Sequence, residues 1–336
     1  MKTVVIVSPA LADANNGNWQ TAHRWQTWLG KSHSARIVSH WPDAGAYANT
    51  DTTRDAVMLA LHARRSATSV QAWAKAHGPH GLAVVLTGTD LYRDIATDAT
   101  AQQSLALAQR LVVLQAQGLL ALPEALQAKA QVMFQSTSAR QTLPKSPRHL
   151  RVVMVGHLRD EKDPLTLMAA ARLLSAVPGL YIDHIGAPLD AALGHAAQAT
   201  ARECPSYRWL GEQTHEATRR RIQRAHLLVH ASRMEGGAHV VMEAVCCGTP
   251  VLASKIPGNV GMLGDDYAGY FEAGDAAGLA ARLRQCHAEV TAAQAGASPL
   301  SSPSLLAQLQ VQCAARAPLF SPAAEQAALR RLVDQL

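Results

Sequence analysis

Two glutamates and a pair of glycines form the part of the sequence whose residue types and spacing best suit chemistry. Glu235 directly precedes the pair Gly236-Gly237, and Glu243 lies eight residues after Glu235. The pattern predicts a strand, a tight turn and a helix. The helix start would offer amides to an anion such as a pyrophosphate, and the Glu243 carboxylate could accept two hydrogen bonds from vicinal ribose hydroxyls. The alternative is a plain loop with a helix-start charge. The amides in question are those of Gly237, Ala238, His239 and Val240.

The stretch EGG, followed by EAVCCGTPVLAS, resembles the donor-site signature of the family 4 glycosyltransferases of the GT-B fold. Upstream, GHLRDEK (156–162) is similar to that family's Gly-Arg-Leu-x-x-x-Lys loop, whose cations hold a nucleotide diphosphate. Lys162 matches directly. His157 stands where the family has Arg, so neighbouring Arg159 would supply the missing cation. TGTD (87–90) resembles the family's His-Gly-x-Asp loop, with Thr87 replacing the His.

Five segments together resemble a narrower group, the selenosugar synthases of selenoneine biosynthesis. That resemblance implies transfer of a sugar from a UDP-sugar, chiefly UDP-N-acetylglucosamine, to selenophosphate, which yields a 1-seleno-sugar. No metal or other cofactor is implied, since enzymes of this fold neutralise the leaving diphosphate with cations and amides. The segments are NNGNWQTAHRW (15–25), LHARRSA (61–67), LTGTDLYRDI (86–95), VGHLRDEKDP (155–164) and SRMEGGAHVVMEA (232–244).

Polar and basic side chains also follow the predicted strands of the first half. Hydrogen-bond donors and guanidinium groups at strand ends suit a small tetrahedral oxyanion, although each arginine alone could be a solvated surface residue. The predicted acceptor-binding residues are Asn15, Asn16, Asn18, Arg64, Arg65, Thr87 and Arg93. The predicted donor-binding residues are Gly17, His157, Arg159, Lys162, Glu235, Gly236, Gly237, Ala238, His239, Val240 and Glu243. Asn18, Arg159, Lys162 and Glu235 are the predicted catalytic residues.

Short apolar runs alternate with helical patterns along the whole chain, as expected for α/β domains whose parallel strands are covered on both faces. Residues 135–150 read as a linker rich in Ser, Thr and Pro, after which the pattern restarts. We therefore expect two Rossmann-like domains facing a cleft, the GT-B fold. Residues 1–147 would form the acceptor domain, 148–320 the donor domain, and 321–336 a helix crossing back to the first domain. Cys246 and Cys247 are read as core packing rather than reactive thiols.

Composition excludes several other classes of protein. The 336 residues are 48% hydrophobic and 17% charged, which argues against disorder, and aromatic residues at 4% are too few for single-stranded nucleic-acid stacking. No apolar run is long enough for a membrane span, and Ser8-Pro9 interrupts the first apolar run too early for a signal peptide. Five scattered cysteines without a CxxC pair favour a reducing, cytoplasmic location.

Net charge is uneven along the chain. Residues 1–147 contain 13 basic and 8 acidic residues, a net charge of +5 out of +6 for the whole chain. This favours an anionic small ligand or a negatively charged surface, or serves solubility alone. Two other functions therefore stay open: a GT-B glycosyltransferase of a lipid or polysaccharide acceptor, and a non-catalytic sensor of sugar nucleotides.

Overall fold

The structure, a computed structural model, describes residues 1–9, 17–43, 52–294 and 304–336. The chain forms two compact units. The first comprises Met1–Ser136, Glu235–Gly237 and Ser321–Leu336. The second comprises Thr137–Met234 and Ala238–Phe320. Three residues that follow the tenth strand thus pack with the first unit, although the chain on both sides of them belongs to the second.

Each unit contains a six-stranded sheet in which all neighbouring strands are parallel, which confirms the α/β expectation. The first sheet has the order β2-β1-β3-β4-β5-β6, and the second has the order β12-β11-β10-β7-β8-β9. The strands are β1 Thr3–Val7, β2 Ser34–Val38, β3 Asp55–Leu61, β4 Leu82–Leu86, β5 Arg110–Val113, β6 Ala130–Val132, β7 Leu150–Val155, β8 Leu180–Ile185, β9 Tyr207–Trp209, β10 Leu227–His230, β11 Val251–Ser254 and β12 Tyr270–Phe271.

Helices connect the strands and cover the sheets. They are α1 Gly17–Leu29, α2 Ala67–His77, α3 Ile95–Thr97, α4 Ala99–Leu107, α5 Glu124–Gln127, α6 Pro164–Leu173, α7 Ala191–Glu203, α8 His215–Arg224, α9 His239–Val245, α10 Pro257–Leu263, α11 Ala276–Gln294, α12 Leu305–Arg316 and α13 Pro322–Gln335. Among the residues that the structure describes, no helix combines the length and the apolar character needed to cross a membrane.

Strand alternation divides the core of the first unit between the two faces of its sheet. In β1, Val5 and Val7 belong to one apolar cluster, which includes Trp73 of α2. Val4 and Ile6 belong to the other, which includes Trp25 of α1. Successive side chains of a strand point to opposite faces, so a continuous apolar run is required where both faces are covered.

Helix α13 is fixed to the first unit by one buried carboxylate. Glu325, 1% exposed, accepts hydrogen bonds from Arg24 Nε at 3.0 Å and Arg24 Nη2 at 2.9 Å. It also accepts from Trp25 Nε1 at 2.7 Å and from the Ser136 hydroxyl at 2.6 Å. Because burying a charge is costly unless it is paired and hydrogen-bonded, these four bonds make Glu325 a stable anchor between α1 and α13.

Candidate functional site

The strand order of each sheet reverses once, and the loops at that point are where open parallel sheets bind ligands. In the second unit the reversal lies between β7 and β10. The loop that follows β7 begins at Gly156 and the loop that follows β10 begins at Ala231. These loops contain the GHLRDEK and SRMEGG motifs. In the first unit the reversal lies between β1 and β3, and β3 ends just before His62.

In the loop after β7, the Lys162 side chain lies over the glycine that directly follows the strand. A β-carbon built at Gly156 would lie 3.4 Å from Cγ and Cδ of Lys162, so the Lys162 stem covers this glycine. Arg159 is about half exposed, with its Nε 4.0 Å from a carboxylate oxygen of Glu161. The exposed His157 accepts the Ala187 amide on Nδ1 at 3.1 Å, so in its neutral form the ring carries its proton on Nε2.

Arg233 ties the two loops of the second unit together, and sequence reasoning missed it. Its Nη1 donates to Asp160 Oδ1 at 3.0 Å, its Nε lies 3.2 Å from Asp163 Oδ2, and its backbone amide donates to the Glu161 carbonyl at 2.9 Å. Asp163 is buried and has a left-handed backbone with φ of 44°, which fixes the chain where α6 begins. The loop that carries Lys162 is therefore held in register with the loop that follows β10.

Glu243 of α9 is buried beside two basic residues of α8. His215 Nε2 lies 2.6 Å from Glu243 Oε1, and Arg219 Nε lies 3.8 Å from the same oxygen. Arg219 is itself buried and donates from Nη1 to the Ser138 hydroxyl at 2.8 Å. The bond to Glu243 raises the pKa of His215. The Glu243 carboxylate has further lone pairs that can accept hydrogen bonds from a ligand.

The turn after β4 is built around a buried aspartate. Asp90, fully buried, accepts the amides of Thr87 at 2.8 Å and Gly88 at 2.9 Å on Oδ1, and the amide of Ala63 at 2.9 Å on Oδ2. Asp90 also begins a single π-helical turn, Asp90–Asp94, a distortion that is frequent at functional sites. The Asp90 carboxylate thus fixes the loop ends of β3 and β4 relative to each other.

Gly236 packs in the first unit against this turn, and Gly237 packs against Leu114, which directly follows β5. A β-carbon at Gly236 would lie 2.6 Å from the Gly88 amide nitrogen and closer still to the Thr87 carbonyl. One at Gly237 would lie 3.1 Å from Cβ of Leu114. Gly236 therefore depends on glycine for the close approach of two backbones, whereas a β-carbon at Gly237 would crowd the Leu114 side chain. Gly88 requires glycine as well, with φ of 137°.

Two of the predicted acceptor arginines share one carboxylate. Arg64 Nε donates to Asp94 Oδ2 at 2.8 Å, and Arg93 Nε donates to Asp94 Oδ1 at 3.3 Å. Asp94 is buried, whereas the two arginine side chains are about half exposed. Asp94 is the last residue of the π-helical turn. Its carboxylate brings together Arg64 and Arg93, which are 29 positions apart in sequence. Sequence reasoning placed both arginines at strand ends but missed Asp94.

His62, which lies beside Arg65, Thr89 and Asp94, is a second residue that sequence reasoning missed. It is buried, and its φ of 73° is left-handed, a conformation that costs energy in a non-glycine residue. Its Nδ1 lies 3.4 Å from the Arg65 amide and its Nε2 lies 3.1 Å from the Thr89 hydroxyl. Burial lowers the pKa of His62, so the ring is neutral at neutral pH and donates to Thr89.

The structure describes some of the remaining residues that were predicted to bind the substrates, and not others. Gly17 and Asn18 are the first two residues of α1, where Gly17 accepts the Thr21 hydroxyl at 2.8 Å on its carbonyl. Arg65 follows Arg64 with its side chain exposed. Asn15 and Asn16 lie outside the described residues.

At the start of α9, the Ala238 amide already donates to Met262 Sδ at 3.2 Å. His239 and Val240 are the first two residues of that helix. Glu235 is partly exposed. Within residues 1–9, 17–43, 52–294 and 304–336, no three side chains of His, Cys, Asp or Glu are grouped as metal ligands.

Residues 135–289 match the model of a family described as "Glycosyl transferases group 1". A curated relative, "Glycosyltransferase 1 domain-containing protein 1" of Xenopus tropicalis, is 32% identical over 112 residues. Those residues are 33% of this chain and 32% of the relative, so the chain matches about a third of that protein's length.

Solved structures match the whole chain. Sucrose-phosphate synthase (tll1590) from Thermosynechococcus elongatus has a TM-score of 0.74 at 16% identity, covering 100% of this chain and 99% of its own. Anabaena Alr3699/HepE in complex with UDP and glucose has a TM-score of 0.70 at 16% identity, covering 100% of both chains. At these identities the likeness shows the fold, and it confirms the expected GT-B class.

Proposed function

We propose that this protein is a glycosyltransferase that transfers a sugar from UDP-N-acetylglucosamine, or a related UDP-sugar, to selenophosphate. The match of residues 135–289 to the model described as "Glycosyl transferases group 1" supports the transferase activity. The product would be a 1-seleno-sugar. The observation that carries the acceptor assignment is the pair Arg64 and Arg93 on Asp94, because two guanidinium groups beside a strand end suit a small, multiply charged oxyanion.

The donor would be bound by the two loops that Arg233 joins and by α9. Lys162 and Arg159 would neutralise the charge that grows on the departing diphosphate, with His157 and the amides of Gly237, His239 and Val240 as further donors. Glu243 would hold the ribose, and Glu235 would orient the sugar or the diphosphate. Alr3699/HepE of Anabaena has been crystallised with UDP and glucose, which supports a uridine nucleotide as donor for a chain of the same fold.

The chemical step needs little help from a base. The selenium of selenophosphate would attack the anomeric carbon, forming a carbon–selenium bond while the bond to the UDP oxygen breaks and UDP leaves with the electron pair. Later hydrolysis of the selenium–phosphorus bond would release phosphate and the selenol. Since the nucleophile is already anionic, the presence of Thr87 in place of a histidine is consistent with this acceptor. Asn18 would assist at the reacting centre.

A product assay tests the proposal and separates it from the two other functions. UDP-N-acetylglucosamine is incubated with the protein and with selenophosphate, plain phosphate or no acceptor, and UDP release and product masses are measured. We expect UDP release and a seleno-sugar mass with selenophosphate only. Nucleotide binding without UDP release under any condition indicates a sensor. Turnover only with an added lipid or polysaccharide acceptor indicates another transferase and overturns the proposed acceptor.

We expect Arg64→Ala to raise the KM for selenophosphate about ten-fold to a hundred-fold, since a charge-assisted hydrogen bond contributes about 1.5–3 kcal/mol. Asp94→Asn should act in the same direction, because it removes the charge that holds both Arg64 and Arg93. The KM for the UDP-sugar should stay within about two-fold in both variants. Initial rates against the concentration of each substrate measure these effects.

The matched control is Arg54→Ala. Arg54 directly precedes β3, whereas Arg64 lies in the loop that follows the other end of β3. Arg54→Ala should leave both KM values unchanged. If Arg64→Ala, Arg65→Ala and Asp94→Asn all have the acceptor KM of the wild type, the acceptor binds elsewhere.

A further inference from the structure

His215 of α8 contacts the buried carboxylate of Glu243, the residue that the proposed function places on the ribose of the donor. His215 is the first residue of α8, and its side chain is 72% exposed, whereas the Glu243 side chain is 9% exposed. The contacts of the carboxylate with His215 and with Arg219 both fall on Oε1. The exposed imidazole therefore covers one oxygen of a buried acid and leaves Oε2 for another partner.

We propose that His215 is a positioning residue for the donor nucleotide: it orients Glu243 so that Oε2 accepts a ribose hydroxyl, and its charge makes donor binding depend on pH. The proposal rests on the proposed role of Glu243 and names a residue that acts through it. His215 is not itself placed at the reacting atoms.

The geometry of α8 presets this contact. The Thr214 side chain caps the helix by accepting the Ala217 amide at 3.3 Å, which fixes the backbone on which His215 begins the first turn. His215 and Arg219 are four residues apart and so lie on the same face of α8. Arg219 is anchored to Ser138 by its Nη1, so the face that meets Glu243 is held from both ends of the turn.

The charges around His215 decide its protonation. The hydrogen bond to Glu243 raises its pKa, and burial together with the cations Arg219 and Arg140 opposes that rise. Glu216, the next residue, is ion-paired with Arg140 and with Arg220, at 2.9 Å from Arg220 Nε.

The thiol of Cys246, the residue that follows the end of α9, is another titratable group near Glu243 and Arg219. Burial raises the pKa of the Cys246 thiol to about 11, so the thiol stays neutral through the range in which His215 titrates. Of these two groups, His215 is therefore the one whose charge changes near neutral pH.

The direction of the pH effect follows from the raised pKa. Below the ordinary value near 6.5 the imidazolium is present and donates a charge-assisted hydrogen bond to Glu243 Oε1, which holds the carboxylate with Oε2 turned to the ribose. As pH rises through the higher pKa of the folded protein the charge is lost, although the neutral ring can still donate from Nε2. Donor affinity should therefore be highest at acid pH and fall as His215 loses its proton.

The test is calorimetric titration of the full chain with UDP-N-acetylglucosamine between about pH 5.5 and about pH 8.5. This probe is chosen because its diphosphate is a diester and keeps its charge, whereas free UDP has a terminal phosphate that titrates near pH 6. Wild-type affinity should fall by about ten-fold across the range. His215→Gln should bind at the weaker level throughout, with a flat profile.

A second variant separates charge from hydrogen bonding. His215→Lys carries a cation across the whole range, so it should bind near the tighter level of the wild type at acid pH, with no pH dependence. The control is His195→Gln, which changes an exposed histidine of α7 and should keep the wild-type profile. Thermal unfolding of each variant establishes that the fold is intact.

Two results overturn the inference: a flat wild-type profile, or a wild-type pH dependence that persists in His215→Gln. Its failure can be told apart from failure of the proposed function by Glu243→Gln. If Glu243→Gln weakens binding of UDP-N-acetylglucosamine while His215→Gln does not alter the profile, only the role of His215 is wrong. If Glu243→Gln leaves binding unchanged, the ribose assignment itself is wrong.

Discussion

Gly236→Ala should lower kcat/KM by at least about a hundred-fold, because a displacement of about 1 Å at a reacting site can cost that much. The added methyl carbon would lie 2.6 Å from the Gly88 nitrogen and nearer still to the Thr87 carbonyl, and both are backbone atoms that cannot rotate away. Overpacking of this kind costs about 1–3 kcal/mol or more. The segment Glu235–Gly237 would have to leave its place against the Thr87–Asp90 turn.

The measurements are transferase kinetics and the midpoint of thermal unfolding. Gly78→Ala is the comparison variant, because Gly78 has a left-handed φ of 65° but open space around a new β-carbon. It carries the conformational cost of a non-glycine residue at φ of 65° and ψ of −152°, on the order of 1–3 kcal/mol, without a clash. Wild-type kinetics in Gly236→Ala would contradict the close packing of the two turns.

Glu243→Gln should weaken UDP binding by about ten-fold to a hundred-fold, since each hydrogen bond to a charged acceptor contributes about 1.5–3 kcal/mol. Glutamine keeps the shape of the side chain, so the effect reports the carboxylate charge and its ability to accept two hydroxyls. The variant also leaves Arg219, which is buried, without its nearest carboxylate, and some loss of stability is expected. Calorimetry with UDP measures the affinity.

Glu216→Gln provides the matched control for Glu243→Gln. Glu216 is an acid of the first turn of α8, exposed and ion-paired with Arg140 and Arg220. Removing its charge changes the net charge of the region by the same amount without touching the proposed ribose contact. An equal loss of UDP affinity in both variants would mean that net charge near α8, and not a specific bond from Glu243, sets the affinity.

Strands with continuous apolar runs could be predicted from the sequence almost to the residue. The run Leu82–Leu86 is apolar throughout and forms a strand over its whole length, because a strand covered on both faces requires such a run. The short strands Tyr207–Trp209 and Tyr270–Phe271 at the sheet edges were not predicted. Strands of two or three residues are too short to show the alternation of apolar and polar residues by which a strand is recognised in a sequence.

Helix α9 ends at Val245, directly before the two adjacent cysteines Cys246 and Cys247. The amides of Cys247 and Gly248 bond to carbonyls three residues back, which tightens the last turn. Gly248 then takes a left-handed φ of 71°, so the glycine that follows the two cysteines terminates the helix earlier than their apolar character suggests.

The charged residues that organise the site could not be predicted, because their roles depend on contacts across the sequence. Asp94 adjoins Arg93, yet its stronger bond is to Arg64, which lies on a different loop. Arg233 pairs with Asp160 and Asp163 across 70 or more positions. No spacing rule links such partners, whereas glycine pairs and the Glu235–Glu243 interval follow from local geometry and could be recognised.

The Glu325 anchor has a consequence for synthesis of the chain. The first unit needs α13, which the ribosome makes only after the segment 137–320, and that segment supplies the whole of the second unit. Until then Trp25 and Arg24 lack the carboxylate that satisfies them, and the apolar face completed by Leu329, Leu332 and Val333 is open. The second unit should therefore be the first to reach its native state during translation, with the earlier-made strands waiting for the last helix.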